Sequence, residues 1–331
     1  MSYGAQTKIG IARQATVTSC VTDATSFHPI AFLSEDVGLE KQEVISQNNT
    51  GRFEEGATYS GPSNVAGVIA VEMTPRSLGI ALAAVVNHSP ASVSSGSVRT
   101  LTFLPNTQDF SSTLCKAPFT MYKQWSDANS AELFYDMQFT QIEFAVAQGA
   151  FTQCRITDNG GKRLSTGIGS MDIVPSVADA RVLFPWNVAY ISYGGVAVQD
   201  FSDITIALNE NINPLYAINA TLEPYKYTRN GFRQVSVNGN FYFASRTMLN
   251  NFGSDTQARL LVTLINTLTA IQSGYYNTLL IDIPQLKITG FKPATSGPGE
   301  VQVPITGRGV ADTSSNYAIQ FTLTTTWQGN F

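Results

Sequence analysis

The chain passes through one series of elements twice. Gly67 heads the short apolar run GVIAVEM, and Gly239 heads GNFYFAS. Upstream of these glycines, LSEDVGLEKQE (Leu33–Glu43) lines up with FSDITIALNEN (Phe201–Asn211): a serine, an acid, then alternation, followed in each case by a long polar stretch. Downstream, DMQFTQIEF (Asp136–Phe144) matches LIDIPQLKI (Leu280–Ile288), and a glycine-led run follows each, GAFTQCRI (Gly149–Ile156) and GEVQVPI (Gly299–Ile305). Each half thus reads strand, polar loop, strand, helix, strand, strand. Internal repetition constrains a fold more than any single motif does. Identity between the halves is low, and β-rich chains share periodicity for trivial reasons, so duplication and coincidence both stand at this level. As a duplication, it predicts two tandem domains, residues 1–165 and 166–331, joined in or just beyond the Gly/Ser-rich stretch Asp158–Ser170.

Periodicity predicts a mainly β chain. FTQIEFAV (Phe139–Val146), SDITIAL (Ser202–Leu208), VSVNGNFYF (Val235–Phe243), NTLLIDIPQLKITGF (Asn277–Phe291), EVQVPIT (Glu300–Thr306) and YAIQFTLTTT (Tyr317–Thr326) alternate apolar and polar residues and are rich in Ile, Val, Phe, Tyr and Thr. Helical signals are confined to Arg76–Val86, with Pro75 suited to a first turn, and to Ser254–Ile271. In the latter Leu260, Leu261, Leu264, Ile265 and Leu268 make one apolar stripe at helical spacing.

Composition narrows the function classes. Charged residues are 13% of the 331, against about 25% in an average soluble domain. A chain so poor in charge hides surface against other subunits or relies on neutral polar residues. The net charge of −4 argues against an ordinary nucleic-acid binder, which needs clustered Lys and Arg to displace counterions. Cys20, Cys115 and Cys154 are odd in number and widely spaced, which reads as reduced thiols rather than a disulfide framework or a zinc site, with an intermolecular bridge left open. The N-terminus lacks a signal peptide's apolar core, and the longest near-apolar run, LGIALAAVV, is far shorter than the roughly 20 residues of a membrane span. A cytosolic origin and no membrane role are expected.

Chemistry-bearing patterns are sparse. His28 and His88 have no acid or cysteine partner at a useful spacing, and no nucleophile elbow, Walker loop or metalloprotease helix is present. The glycines of TGIGSMD (Thr166–Asp172) read as linker rather than phosphate cradle. No catalytic residue, cofactor or metal is expected, and no enzymatic role. In PYKYTRNGF (Pro224–Phe232) aromatics interleave with Lys226 and Arg229, with Arg233 just beyond. That pattern suits a protein–protein contact better than a single-stranded nucleic-acid site.

The order of these pieces resembles that of bacteriophage tail tube proteins, the subunits that stack into the hollow shaft of a tailed phage. The matching stretches are ARQATVTSCVTDATSFHPIAFLSEDVGLEK, the polar loop, VAGVIAVEMTPRSLGIAL, FPWNVAYISYGGVAVQDFSDITIAL and LLIDIPQLKITGFKPATSGPGEVQVPITGRGVAD. The resemblance implies a β-sandwich or barrel-like fold with a flanking helix, here twice in tandem, whose sheet joins its neighbours' sheets in a tube wall. It implies a loop reaching the adjacent ring, at residues 46–64 and 209–231, with Asn48, Asn49, Arg52, Phe53, Glu54, Tyr59, Tyr225, Tyr227, Arg229 and Phe232 as contact residues. With six tube folds per ring as the usual arrangement, three chains would complete a ring, or six if the duplication is illusory. Glu35, Asp36, Glu40, Glu43, Asp203 and Glu210 become candidates to line a lumen and repel passing double-stranded DNA, against the plainer reading of a solvated face or interface salt bridges. The implied partners are the chain itself and other tail proteins such as a tape measure, terminator, baseplate or sheath; the implied location is the virion tail, with host cytoplasm during assembly. A fibre- or adhesin-type protein binding carbohydrate or receptor would also explain the β content and the aromatics. A glycoside-active enzyme would need a paired set of carboxylates that nothing singles out.

Overall fold

Alternation becomes strand along most of the chain. The computed structural model describes residues 7–46, 58–125, 131–164, 171, 173, 183–218, 221–243, 246–293 and 301–327. A small antiparallel sheet is ordered β12 (Lys162–Leu164), β9 (Ala131–Met137), β8 (Phe119–Gln124), β1 (Lys8–Arg13) and β2 (His28–Ile30). The main sheet is ordered β14 (Val196–Val198), β13 (Ala189–Tyr193), β19 (Ala258–Gln272), β20 (Tyr275–Phe291), β21 (Gln302–Val310), β18 (Gln234–Tyr242), β15 (Phe201–Asn209), β10 (Phe139–Ala147), β11 (Gln153–Asp158) and β5 (Thr58–Glu72). Beyond β5 lie β3 (Ser34–Glu35) and β4 (Gly38–Ile45), which share its outer edge. β20 is long enough to take β22 (Gln320–Thr325) on the side that β21 occupies further along, and β22 leads to a wing of β7 (Val98–Phe103) and β6 (Ala91–Ser95). A separate two-stranded ribbon pairs β16 (Ile212–Leu215) with β17 (Lys226–Arg229).

The first helix forms as its sequence asks. α1 (Pro75–Val85) is capped by Thr74, whose hydroxyl accepts from the Ser77 amide while the Ser77 hydroxyl accepts from the Thr74 amide. Pro75 sits in the first turn, where a missing N–H costs nothing. Nearly every residue of α1 is buried, as a helix apolar on all sides must be. It packs on β10, β11 and β22 at once, and Phe144 of β10 meets Phe321 of β22 at 5.4 Å between ring centroids. Gly79 permits this packing, since a Cβ there would fall 2.3 Å from the Trp327 ring.

The second predicted helix is a strand. Residues 258–271 belong to β19, and only the short α2 (Thr247–Gly253) precedes it. The helical stripe was a coincidence of leucine spacing. Leu260, Val262 and Leu264 are the buried set, alternating with half-buried Leu261, Thr263 and Ile265. That is a period of two, and the β-branched Val262, Thr263, Ile265, Thr267 and Thr269 prefer it. Pairing to β13 on one side and β20 on the other makes β19 interior along Leu260–Leu264.

The cysteines are free thiols. Cys115 and Cys154 are buried, and burial pushes Cys115 up to about 11 and Cys154 higher still. Half-buried Cys20 is likewise raised to about 11, chiefly by burial.

Candidate functional site

Along the main sheet, β20-β21-β18-β15 is followed directly by β10-β11-β5-β4. Each run is a hairpin, then a glycine-bearing strand, then an outer strand carrying acids. The two glycines do the same work. A Cβ on Gly67 would lie 2.5 Å from the Val37 Cα, and one on Gly239 would lie 2.6 Å from the Asp203 carbonyl oxygen. In both runs the outer strand breaks register near the glycine, at Asp36–Val37 between β3 and β4, and between Phe201 and Asp203 in β15, just past the Ile204–Gly239 pair. The runs are sewn together by β15 and β10, paired from Gln141 opposite Asn209 to Ala147 opposite Asp203.

The end strands differ from this sewn junction. β4 pairs with β5 alone among the described residues, so its other edge is open. β20 carries β19 only as far as Leu286, which leaves Lys287–Phe291 without a strand partner on that side among the described residues. An open strand edge is a template for another chain.

Two arms leave the same end of the sheet. The first is the outer part of the β4–β5 hairpin, which runs on past the Lys41–Ser63 pair to Ile45 opposite Thr58. So the predicted loop 46–64 is strand from Thr58 onward. Its surface is open: Glu40, Glu43 and Val44 are exposed, and Tyr59, opposite Val44, is 68% exposed. Asn48, Asn49, Arg52, Phe53 and Glu54 lie outside the described residues. Near the arm's root, Glu35 is largely covered and pairs with Lys123 at 2.8 Å, while exposed Asp36 accepts from the Val68 amide.

The second arm is the β16–β17 ribbon, and it is folded onto the first run. Tyr227 was expected at a contact surface, yet it is 2% exposed. Its hydroxyl accepts from the Gly161 amide at 2.9 Å and donates to Asn64 at 3.2 Å, and its ring lies where a Cβ on Gly160 would be. The Asn159 amide group donates to the Ile212 carbonyl and the Cys115 thiol to the Tyr227 carbonyl. Glu210 was expected to face a lumen; it is fully enclosed instead. It pairs with Arg233 at 2.9 Å and with Lys116 and Arg229 at 3.6 Å each, and Arg229 reaches on to Asp109. A carboxylate can be buried so deeply only because cations surround it. Burial pulls Lys116 down to about 8, with Glu210 drawing it up and the two arginines adding to the fall. Beneath the ribbon Asp158, buried at the end of β11, is held well above the usual carboxylate range by burial. Of the second-arm candidates only Tyr225 and Phe232 remain exposed, Phe232 at 93%. Asp203 is half-buried and accepts from the Asn240 side chain at 2.9 Å.

Among the described residues no group of three or more His, Cys, Asp or Glu could hold a metal ion. His28 packs edge-on to Trp327 and His88 edge-on to Phe110. One family, described as phage tail tube protein, matches residues 4–309, nearly the whole chain. The chain belongs to the phage tail tube protein family. No curated protein matches it. The match makes the chain a structural component of a virion tail, of a kind that associates with itself and with other tail proteins. No helix among the described residues is long and apolar enough to cross a membrane.

Proposed function

We propose that the chain builds stacked rings in which its main sheet continues from copy to copy, enclosing a conduit through which the phage genome passes into the host. The observation that carries this reading is the repeated strand order. β20-β21-β18-β15 and β10-β11-β5-β4 behave as two like units, residues 166–331 and 1–165, already joined edge to edge by β15 and β10. A similar edge-to-edge join between copies would set the open edge of β4 against the open β20 edge of a neighbour, beyond Leu286. A closed ring of such joins leaves no edge exposed. Three chains would supply six units per ring. Exposed Glu40 and Glu43 are the acids still available to face DNA; Glu35, Asp36, Asp203 and Glu210 are engaged within the chain.

The β4–β5 arm supplies contact between neighbouring copies, and the other tail proteins named by the resemblance would meet the ends of the stack, assembly taking place in the host cytoplasm. End-on electron microscopy of assembled protein tests the reading. Hollow rings with three chains and six-fold modulation are expected. Six chains per ring would overturn the two-unit account, and protein that never polymerises at high concentration would overturn the tube itself.

A further inference from the structure

An asparagine followed by glycine occurs three times in the chain, at Asn159–Gly160, Asn230–Gly231 and Asn238–Gly239. Such a pair carries its own reaction. The glycine's backbone nitrogen can attack the asparagine's side-chain carbonyl carbon, and with no Cβ on the second residue little obstructs the approach. The fold decides where this happens, because the attacking amide must be free of hydrogen bonds and the backbone free to turn.

The three sites stand very differently. Asn238–Gly239 lies inside β18, with Ile204 of β15 opposite Gly239 on one side and Ile305 of β21 on the other. Asn159–Gly160 is clamped by the ribbon: the Asn159 side chain donates to the Ile212 carbonyl at 3.2 Å, and Gly160 is buried against the Tyr227 ring. Asn230–Gly231 makes the return from the ribbon to β18, and both residues are exposed. Neither the Asn230 side chain nor the Gly231 amide has a hydrogen-bond partner among the described residues. Gly231 has a φ of +125°, a conformation that calls for glycine, so the turn itself supplies the reactive pair.

We propose that Asn230 is a site of spontaneous deamidation that acts on the second arm. The Gly231 nitrogen bonds to the Asn230 Cγ, the Cγ–Nδ2 bond breaks, and the amide proton leaves with the side-chain nitrogen as ammonia. Water then opens the resulting succinimide at either carbonyl. The product is aspartate or, where the chain is rerouted through the side chain, isoaspartate. Both products fall at the root of the ribbon. The Asn230 amide donates to the Asn211 carbonyl at 2.8 Å, and the Asn211 side chain donates to the Phe232 carbonyl. An isoaspartyl link adds a backbone atom between those bonds and shifts the turn they close. Aspartate adds a carboxylate between Arg229 and Arg233, two of the cations that enclose Glu210. The site belongs to the subunit and does not depend on ring assembly.

Peptide mapping tests this. Folded protein is held at mildly alkaline pH and digested at intervals, and the three asparagine peptides are followed by mass spectrometry and an isoaspartyl methyltransferase assay. Asn230 should convert at least about tenfold faster than Asn159 or Asn238, the factor that each ~1.4 kcal/mol of local opening imposes on a protected site. In urea the three rates should converge. Hydrogen exchange at Lys226–Arg229 should quicken as product accumulates, and should hold steady in Asn230→Gln, whose longer side chain closes a ring far more slowly. Folded protein in which Asn230 converts no faster than the other two would overturn the site. A lead that persists undiminished in urea would trace it to sequence neighbours and overturn the structural assignment. Converted protein whose ribbon exchanges as before would overturn the effect on the arm.

Discussion

The two arms are made from comparable stretches of the chain and meet opposite fates. The β16–β17 ribbon is held on its neighbour by a buried tyrosine, a glycine pair and an enclosed charge cluster. The β4–β5 arm shows glutamates, a valine and a tyrosine to solvent. The difference teaches that one arm has its partners within the chain, while the other, on the proposed reading, is kept for another copy. A join made inside the chain can bury ions and polar groups, since its partners are present from the start of folding. A join made between copies must keep its surface soluble until assembly.

Substitutions can break or sharpen that contrast. The largest effect is expected along one strand, β5, from root to tip. Val71, buried at 1% exposure, replaced by Asp should destabilise the chain by about 4 kcal/mol, because a charge would enter an apolar site. Val44→Asp, across from the same strand on the arm, should change stability by less than about 0.5 kcal/mol while impairing assembly. Urea unfolding and sedimentation would separate the two outcomes.

Next comes the ion cluster. Glu210→Gln would leave Lys116, Arg229 and Arg233 facing one another without their shared anion, for a loss of about 3 kcal/mol. Hydrogen exchange should show Lys226–Arg229 opening first. Adding Lys116→Met should recover part of the loss, whereas Glu43→Gln on the free arm should be neutral in an unfolding curve.

The pH dependence follows from Asp158. Its folded carboxyl keeps its proton above the ordinary value of 3.8, so the folded state holds a proton that the unfolded chain releases. Stability from this group is present at low pH and falls as pH rises through the window above 3.8, by up to about 1.4 kcal/mol per pH unit. Lys116 acts with the opposite sign at alkaline pH: the unfolded chain binds the extra proton between about 8 and 10.5, so stability rises there. Asp158→Asn should flatten the acid-side slope in thermal melts taken across pH. The smallest effect is expected for Tyr227→Phe, about 1 kcal/mol for the hydroxyl shared by Gly161 and Asn64, with Tyr59→Phe on the free arm giving no change.

Much of this fold was legible in the sequence because alternation reports burial on one face. The strands at Phe139–Ala147, Phe201–Asn209 and Tyr275–Phe291 were visible in that way, as was α1 through Pro75 and its apolar run. β19 was misread because the apolar residues Leu260, Leu261, Leu264 and Ile265 fit either period over a short span, and only pairing on both edges decides between them. The sites were less legible. A glutamate's charge says nothing of whether arginines will enclose it, and the partners of Glu210 come from positions 116, 229 and 233. Tyr227 likewise stands among exposed aromatics in the sequence, and only Gly160 and Gly161, far along the chain, give its ring a seat. A glycine pair closing a strand was the one signal of that seat.

The most direct test is amide hydrogen exchange along Gly38–Ile45, compared between dilute subunit and assembled protein. In the dilute subunit, the amides bonded to β5 should be protected and the alternate, outward-facing amides should exchange freely. On assembly the second set should become protected, as a neighbour's strand takes them up. Assembled tubes in which those outward amides exchange as fast as before would contradict a sheet continued from copy to copy.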